Sequence, residues 1–286
     1  SCMAKRCEVS TLALLFLFLF LSSCSLLRIE LTEREILTSF GQPQQHQLEK
    51  EFSILVWNVY KEQKENWQTE YRKLKGNYDI HIFQEAMCCQ TKPERGYQQV
   101  FAKSFIYTNT GVATGVSTSS RVGAVFSQYL RSIGREPIVA TPKMALITKY
   151  SLPYGEKLLV ANIHSLNFVS NKEWAMQLTG LLSKLSQHKG PLLIAGDFNT
   201  WNEERVATML KSTNKLRLNS VSFNNSDTRL RILGYPLDHI FYRGLTVKNA
   251  NVIKSNGSDH QPMSVQFKVK APGPRYAGTN GKKCQM

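Results

Sequence analysis

The sequence predicts an α+β fold in which two β-sheets pack face to face and helices cover their outer sides. Short apolar runs of strand length recur through most of the chain, whereas only two or three stretches place their apolar residues on one helical face. Many strands with few helices are typical of this layered architecture. A length of 286 residues and a hydrophobic content of 42% are sufficient to bury the core between two such sheets.

The predicted elements follow in order along the chain. Apolar runs predict strands over residues 52–58, 78–85, 95–108, 122–127, 145–148, 158–163, 192–199, 237–242, 247–253 and 264–269. Apolar residues at helical spacing predict helices over residues 62–74, 173–185 and 203–210. The stretch between residues 109 and 120, rich in Gly, Ser, Thr and Val, is predicted to be a loop.

The clearest strand covers residues 192–199 and ends in Gly-Asp-Phe-Asn. Its apolar residues predict burial, and Gly196 permits a sharp turn of the backbone where side-chain bulk would interfere. Asp197 and Asn199 are two residues apart, so in extended backbone both side chains leave on the same face. A carboxylate beside an amide suits a metal ion or a phosphate ester, although Asp and Asn are also common in turns after strands.

Acids and histidines recur where the predicted strands end. They are Glu85, His164, Asp197, Asp238, Asp259 and His260. Because strands of a packed domain lie side by side, their ends can meet at one rim, where loops carry function on a rigid scaffold. A single acid or histidine at the end of a strand is ordinary. Because such residues end several strands of this domain, they predict a functional site at the edge where the strands end.

The N-terminal segment has the layout of a secretory signal. Lys5 and Arg6 precede an apolar run over residues 12–21, which is too short for a comfortable membrane span. The small residues before Cys24 resemble a bacterial lipobox, which implies removal of residues 1–23 and a lipid on the Cys24 sulfur. We therefore expect a lipid-anchored membrane protein on the periplasmic side of the cell envelope. Secretion and an uncleaved signal anchor are the alternatives.

Composition divides the rest of the chain into three parts. Residues 24–50 are polar and are expected to form a tether, residues 51–269 are expected to form one domain, and residues 270–286 a disordered tail. The net charge of +15 favours phosphate-rich partners such as nucleic acid or an anionic membrane surface. Nothing in the sequence implies a protein partner, and Cys88 and Cys89 receive no role.

Several short motifs follow one another in a recognisable order. They are Asn58, Gln84-Glu85, His164, Gly196-Asp197-Phe198-Asn199, Asp238 and Ser258-Asp259-His260. This set resembles the endonuclease/exonuclease/phosphatase superfamily, whose fold is DNase I-like, and the resemblance covers residues 52–268. The runs 54–58, 162–164, 236–238 and 241–245 are similar to the bacterial YafD-like branch of that superfamily.

The resemblance implies a four-layer sandwich of two mostly antiparallel sheets flanked by helices. It also implies a metal site in which Glu85 is the principal ligand of Mg²⁺, with Mn²⁺ as the alternative ion. Asn58 and Asp259 are expected to lie near the metal. Hard divalent cations prefer such oxygen ligands.

The resemblance also implies the catalytic roles. His260 is expected to act as the general base on an attacking water, oriented by Asp238. Asp197 and Asn199 are expected to position the phosphoryl group and the nucleophile. His164 is expected to donate a hydrogen bond to a phosphate oxygen. Nuclease members support this histidine with an acidic partner, and the matching segment of this chain contains no acid.

Together these features predict a metal-dependent phosphoesterase that hydrolyses a phosphodiester by direct attack of water. The basic charge favours nucleic acid as the substrate. Phospholipid head groups, as for a sphingomyelinase, and small phosphoesters are alternatives. A further alternative is a non-catalytic binding module on the same fold. Loss of Glu85, Asp197, Asp238 or His260 would have favoured such a module, and all four are present.

Overall fold

The computed structural model describes residues 28–88, 94–137, 140–223 and 227–271. Its helices are α1 (Glu33–Ile36), α2 (Trp67–Leu74), α3 (Asn171–Leu185) and α4 (Glu203–Lys215). Its strands are β1 (Arg28–Ile29), β2 (Leu37–Phe40), β3 (Glu51–Asn58), β4 (Ile80–Met87), β5 (Gln98–Tyr107), β6 (Ala113–Ser120), β7 (Phe126–Arg135), β8 (Pro142–Ser151), β9 (Lys157–His164), β10 (Leu192–Asp197), β11 (Asn219–Ser220), β12 (Arg231–Ile232), β13 (Tyr235–Pro236), β14 (Asp238–Arg243), β15 (Leu245–Val252) and β16 (Met263–Val269). Short 3₁₀ turns lie at Tyr60–Glu62 and Pro153–Gly155.

Most of these strands belong to two sheets. The first sheet has the order β1-β5-β6-β4-β3-β16-β15, with β2 also paired to β5. The second sheet has the order β11-β14-β10-β9-β8-β7, and β12 and β13 form a separate small hairpin. Within the described residues, the pairs β3–β4 and β9–β10 are parallel and all other neighbours are antiparallel.

The main core lies between the two sheets. The first sheet contributes Ile54, Val56 and Ile82, and the second contributes Val160, Leu193 and Ile240, all almost fully buried. Alternate residues of each strand face this core, since side chains of a strand point to opposite faces in turn. Burial of apolar surface on both inner faces holds the sheets together.

Helices cover the outer face of each sheet. On the first sheet, α2 packs the Trp67 ring 4.9 Å from the Trp57 ring and the Tyr71 ring 6.0 Å from the Phe83 ring. On the second sheet, the apolar sides of α3 and α4 pack against the outward-facing residues of β9 and β10. The order helix, sheet, sheet, helices confirms the predicted four-layer sandwich of mostly antiparallel sheets.

The segment between residues 28 and 50 differs from the predicted tether. β1 and β2 both pair with β5, and Ile36 and Leu48 are almost fully buried. Without this pairing β5 would be an exposed sheet edge with unpaired N–H and C=O groups. The segment is mostly polar, and its few buried apolar residues do not form a recognisable pattern. The folded domain therefore begins earlier than the sequence pattern predicts.

The stretch predicted as a loop over residues 109–120 contains strand β6. All eight residues of β6 are buried, and the strand lies between β4 and β5. A Cβ atom at Gly115 would lie 2.0 Å from the carbonyl oxygen of Ala102. The small residues that are typical of loops therefore serve here to let neighbouring backbones approach closely.

Some predictions concern residues outside the described parts of the chain. These are the signal segment over residues 1–23, the lipid site at Cys24, Cys89, and the tail from residue 272 onward. Of the helices in the described ranges, none combines the length and the apolar character that a membrane crossing requires.

Candidate active site

The strand ends converge on one rim of the sandwich. Asp197 ends β10, and the strand pairing places it directly opposite His164 of the parallel strand β9. It also lies opposite Asp238, the first residue of β14, because β14 runs antiparallel to β10. Asn58 ends β3 of the facing sheet and reaches the same rim, where its Nδ2 donates to Asp197 Oδ2 over 3.0 Å.

Gly196 allows β10 to lie close to β9 at this rim. Its φ of 141° is one that residues with a side chain rarely adopt, and an added Cβ would lie 2.1 Å from the Ile163 carbonyl oxygen. Three residues later, the Asn199 backbone N–H donates to Asp197 Oδ1 over 2.9 Å, and Asn199 Nδ2 donates to the Ser165 carbonyl over 2.9 Å. The motif thus fixes both the carboxylate and the loop that follows β9.

Asp197 lies at the centre of the site. Its Oδ2 atom is 3.7 Å from His164 Nε2 and 3.9 Å from His260 Nε2. Burial raises the pKa of the Asp197 carboxyl, and its neighbour Asp238 adds to that increase, while His260 opposes it. This carboxylate is therefore held between two imidazoles, where it can orient a group bound between them.

His260 and Asp238 form a buried dyad. His260 Nδ1 lies 2.7 Å from Asp238 Oδ2, a distance that fixes the ring orientation and leaves Nε2 facing Asp197. Burial lowers the pKa of His260, but the Asp238 carboxylate outweighs it, and the net result is a raised pKa. The main chain of His260 is held as well, because its carbonyl accepts the Trp57 indole N–H over 2.9 Å and its N–H donates to Ser258 Oγ over 3.2 Å.

Glu85 is aimed into the site by irregular backbone. It has a φ of 51°, and the β4–β6 pairing shifts register between Phe83 and Ala86. Such bulges redirect side chains and are common beside active sites. Glu85 Oε1 lies 3.7 Å from His164 Nε2, and the buried Oε2 atom forms no hydrogen bond. Lys61 Nζ approaches that oxygen only to 3.5 Å.

These residues fit a divalent cation. The buried Glu85 oxygen without a hydrogen-bond partner is the kind of hard ligand that Mg²⁺ takes, and Asn58 pairs with the preceding residue, Gln84, in the β3–β4 register. A second arrangement is also close enough, since Asp197, Asp238 and His260 each offer one ligand atom within 4.8 Å of the others. The first set is the better chemical match for Mg²⁺ because it offers oxygen ligands alone, whereas the second includes an imidazole nitrogen.

Asp259 connects to the other predicted metal ligands through Ser258, whose hydroxyl also donates to the Asn58 carbonyl over 2.7 Å. Its side chain is exposed, and its Oδ1 atom accepts a hydrogen bond from Ser258 Oγ over 3.1 Å. Among the described residues, no hydrogen bond or ion pair joins it to Glu85 or Asn58. Its influence on the site in this structure is electrostatic, because it contributes to the raised pKa of His260.

Two lysines belong to the site that the sequence pattern did not reveal. Lys143 Nζ lies 3.1 Å from His164 Nε2, and Lys61 lies beside Glu85. Burial first, and the Lys143 ammonium after it, hold the pKa of His164 well below its usual range. The segment that supplies an acidic partner in nuclease members contains no acid here. The neighbours of His164 Nε2 are instead Lys143 and the carboxylates of Glu85 and Asp197.

The position of Lys61 follows from the backbone after β3. Tyr60, Lys61 and Glu62 have φ values of 49°, 54° and 58°, so α2 begins at Trp67 and not at residue 62 as the apolar spacing predicts. No sequence motif predicts that this backbone turns Lys61 towards Glu85. Lys143 lies within β8, where alternation would make it an ordinary solvent-facing residue.

A buried arginine supports the rim from outside. The Arg205 guanidinium donates to the carbonyl oxygens of Asn199, Asn167 and Val169 over 2.8–2.9 Å. It also lies 4.5 Å from the Trp201 ring centroid. Arg205 therefore ties the loop after Asp197 to the loop after His164, and its place on an amphipathic helix does not by itself indicate this role.

Comparison with known proteins identifies the family of this chain. The sequence model of the Endonuclease/Exonuclease/phosphatase family matches residues 55–260. A UPF0294 protein of Vibrio campbellii is 38% identical over 229 residues, which is 80% of this chain and 81% of the relative. A UPF0294 protein of Klebsiella pneumoniae is 33% identical over 232 residues, which is 78% of this chain and 84% of the relative.

Solved structures share the fold at low sequence identity. An endonuclease/exonuclease/phosphatase family protein from Leptotrichia buccalis has a TM-score of 0.59 and 18% identity, covering 76% of this chain and 100% of its own. The human Nocturnin catalytic domain, solved with a bound sulfate anion, has a TM-score of 0.59 and 18% identity, covering 82% of this chain and 98% of its own. The chain belongs to the Endonuclease/Exonuclease/phosphatase family and is a hydrolase of phosphoester bonds.

Proposed function

We propose that the protein is a divalent-metal-dependent phosphodiesterase whose substrate is nucleic acid. The observation that carries this proposal is the His260–Asp238 dyad, whose free Nε2 atom faces Asp197 3.9 Å away at the rim that also holds Glu85. A histidine oriented by a carboxylate is suited to take a proton from an attacking water. No nucleophilic side chain is needed, so the reaction is direct hydrolysis.

Each side chain of the site would have a catalytic role that follows from its position. His260 Nε2 accepts the proton of the water when the ring is neutral, and Asp238, which raises the pKa of His260, stabilises the imidazolium that forms. Asp197, held by Asn58, orients the water between the two histidines. Lys143 donates to His164 Nε2 in this structure and lies where it can turn to the oxygens of the phosphoryl group as negative charge develops there. His164 is proposed to donate from the same nitrogen once the lysine has turned.

Glu85, with Asn58 beside it, would hold the metal ion. When bound, Mg²⁺ or Mn²⁺ neutralises charge on the phosphoryl oxygens and helps to orient them. The support for this assignment is the hydrogen-bond vacancy at the buried Glu85 Oε2 atom. Asp259 is proposed to act as a nearby charge that favours the cation.

Nucleic acid is favoured as the substrate class by the charge of the chain. The net charge of +15 attracts polyanions, and Lys61 and Lys143 place part of that charge at the catalytic rim. A small phosphoester is the alternative substrate. It is favoured by a cavity beside Glu85 that is lined by positively charged side chains. The finer resemblance to the YafD-like branch remains a prediction.

The direct test compares turnover with and without the proposed base. The purified chain would be assayed on plasmid DNA, RNA, sphingomyelin and bis(p-nitrophenyl) phosphate, with Mg²⁺, with EDTA and as the His260→Ala variant. We expect EDTA-sensitive turnover that His260→Ala abolishes. A matched control is His46→Ala, because His46 is exposed and outside the site. Turnover on none of the substrates, or turnover that survives His260→Ala, would contradict the proposal.

An envelope location through a lipid on Cys24 is a separate proposal, which the sequence of the signal segment supports. Labelling of cells with a radioactive fatty acid tests it. We expect label in the wild-type protein and none after Cys24→Ser. Equal labelling of the two would refute the anchor without affecting the assignment of the active site.

A further inference from the structure

A cavity of about 210 Å³ opens beside the catalytic rim. Glu85 and His164 line one side of it, and β5, β6, β8 and the N-terminal strand β1 supply the remaining walls. The group attached to a phosphate held at Glu85 and His164 would therefore project into this cavity. Its size is below the roughly 300–1,000 Å³ of common ligand pockets, so it suits a single compact group and not an extended surface.

Three cations face the cavity. They are Arg28, Lys61 and Lys143. Lys61 has Glu85 as a partner at 3.5 Å, but no carboxylate in the described parts of the chain forms an ion pair with Arg28 or Lys143. Cations gathered around one cavity repel each other unless an anion joins them. A second phosphate group matches Arg28, since arginine binds phosphate through two parallel hydrogen bonds, while Lys61 and Lys143 add positive charge on the side of the cleaved phosphodiester.

Aromatic side chains complete the lining. Tyr107 lies directly opposite Arg28 in the pairing of β1 with β5, so the two side chains share one face of the sheet. Phe105 also lines the cavity, and its ring centroid is 4.9 Å from that of Tyr107. Rings beside cations suit a planar base or a sugar carrying a phosphate, because bases stack on aromatic faces.

We propose that this cavity binds a second phosphate of the substrate, carried about one nucleotide away from the phosphodiester that is cleaved. The inference rests on the proposed function and narrows it to phosphodiesters that end in a phosphate monoester. The same chemistry occurs at the phosphorylated end of a nucleic acid strand and in a small free ester. Arg28 is the residue specific to this recognition, because it lies in the cavity but has no contact with the catalytic groups among the described residues.

The test measures kcat/KM on matched substrates. Thymidylyl-thymidine would be compared with its 5′-phosphorylated and 3′-phosphorylated forms, and with a single strand of twenty nucleotides with and without a terminal phosphate. We expect one terminal phosphate to raise kcat/KM by roughly tenfold, the scale of one charge-assisted contact. A gain on the long strand as well identifies strand ends as the source, and a gain on the dinucleotide alone identifies small esters.

Variants connect the preference to the cavity. Arg28→Gln is expected to reduce the preference for the terminal phosphate to about twofold or less, and Arg28→Lys to retain part of it. Lys248→Gln is the matched loss of one positive charge, on β15 at the opposite edge of the same sheet. It should leave the preference unchanged. An equal preference in wild type and Arg28→Gln, or none in wild type, would overturn the inference.

A binding measurement separates this inference from catalysis. Titration calorimetry with thymidine monophosphate in EDTA should show an affinity that Arg28→Gln weakens by roughly tenfold and Lys248→Gln does not change. Turnover of bis(p-nitrophenyl) phosphate without any effect of a terminal phosphate would leave the proposed function intact and reject only the cavity. Absence of all turnover together with Arg28-dependent binding would reject the proposed function and leave phosphate binding in the cavity intact.

Discussion

The two halves of the catalytic rim are organised differently. Around His260 the groups are fully engaged, with a contact of 2.7 Å to Asp238 and a held main chain. Around Glu85 and His164 the carboxylate contacts are 3.5–3.7 Å, and a buried carboxylate oxygen has no hydrogen bond. The first half is already arranged to move a proton, whereas the second leaves its charges available to a ligand.

The largest expected effect is the difference between the two histidines. His260→Ala should lower kcat by roughly 10³-fold, within the range for loss of a general base. His164→Ala should lower it by only about tenfold, because Lys143 can reach the same phosphate oxygen. Both variants would be measured on one phosphodiester at saturating Mg²⁺. Equal losses would contradict the proposed division of the rim.

Glu85→Gln sharpens the comparison by removing a charge while keeping the shape. We expect the Mg²⁺ concentration for half-maximal activity to rise by roughly 100-fold, since a ligand to the ion is lost. Glu65→Gln, an exposed carboxylate outside the site, is the control. If Asp238→Asn shifts the Mg²⁺ requirement and Glu85→Gln does not, the ion lies at the Asp197, Asp238 and His260 set instead.

Arg205→Lys tests how the loops behind the rim are supported. Lysine cannot span the carbonyl groups that the guanidinium joins, so the free energy of unfolding should fall by about 2 kcal/mol. Urea denaturation measures this, with Arg34→Lys, an exposed residue of α1, as the control. As a positioning residue, Arg205 should affect kcat more than KM. A drop in stability with unchanged kcat would make its role purely structural.

The smallest expected effect concerns the pairing of Lys143 with His164. Each single substitution, Lys143→Met or His164→Ala, should lower kcat/KM by about tenfold, and the double variant by clearly less than the product. The coupling follows from the 3.1 Å contact between the two side chains. Fully multiplicative losses would show that the two groups act on different parts of the substrate.

Sequence reasoning reached the fold and the acids and histidines of the rim because both depend on local patterns. Apolar alternation indicates strands, and charged residues at strand ends are visible as exceptions to it. It missed β6, whose small polar residues look like a loop but are buried by neighbouring strands. It also missed Arg28, Lys143 and Arg205, because the role of a basic residue depends on the groups that it contacts in the folded chain.

The docking of β1 on β5 has a consequence for the reach of the enzyme. A tether over residues 24–50 could extend roughly 90 Å, but only four peptide steps separate Cys24 from Arg28, which span about 14 Å at most. If Cys24 carries a lipid as proposed, the wall of the cavity stays within that short radius of the bilayer surface. Such an enzyme would act on phosphoesters close to the membrane surface, whether they are bound there or reach it by diffusion.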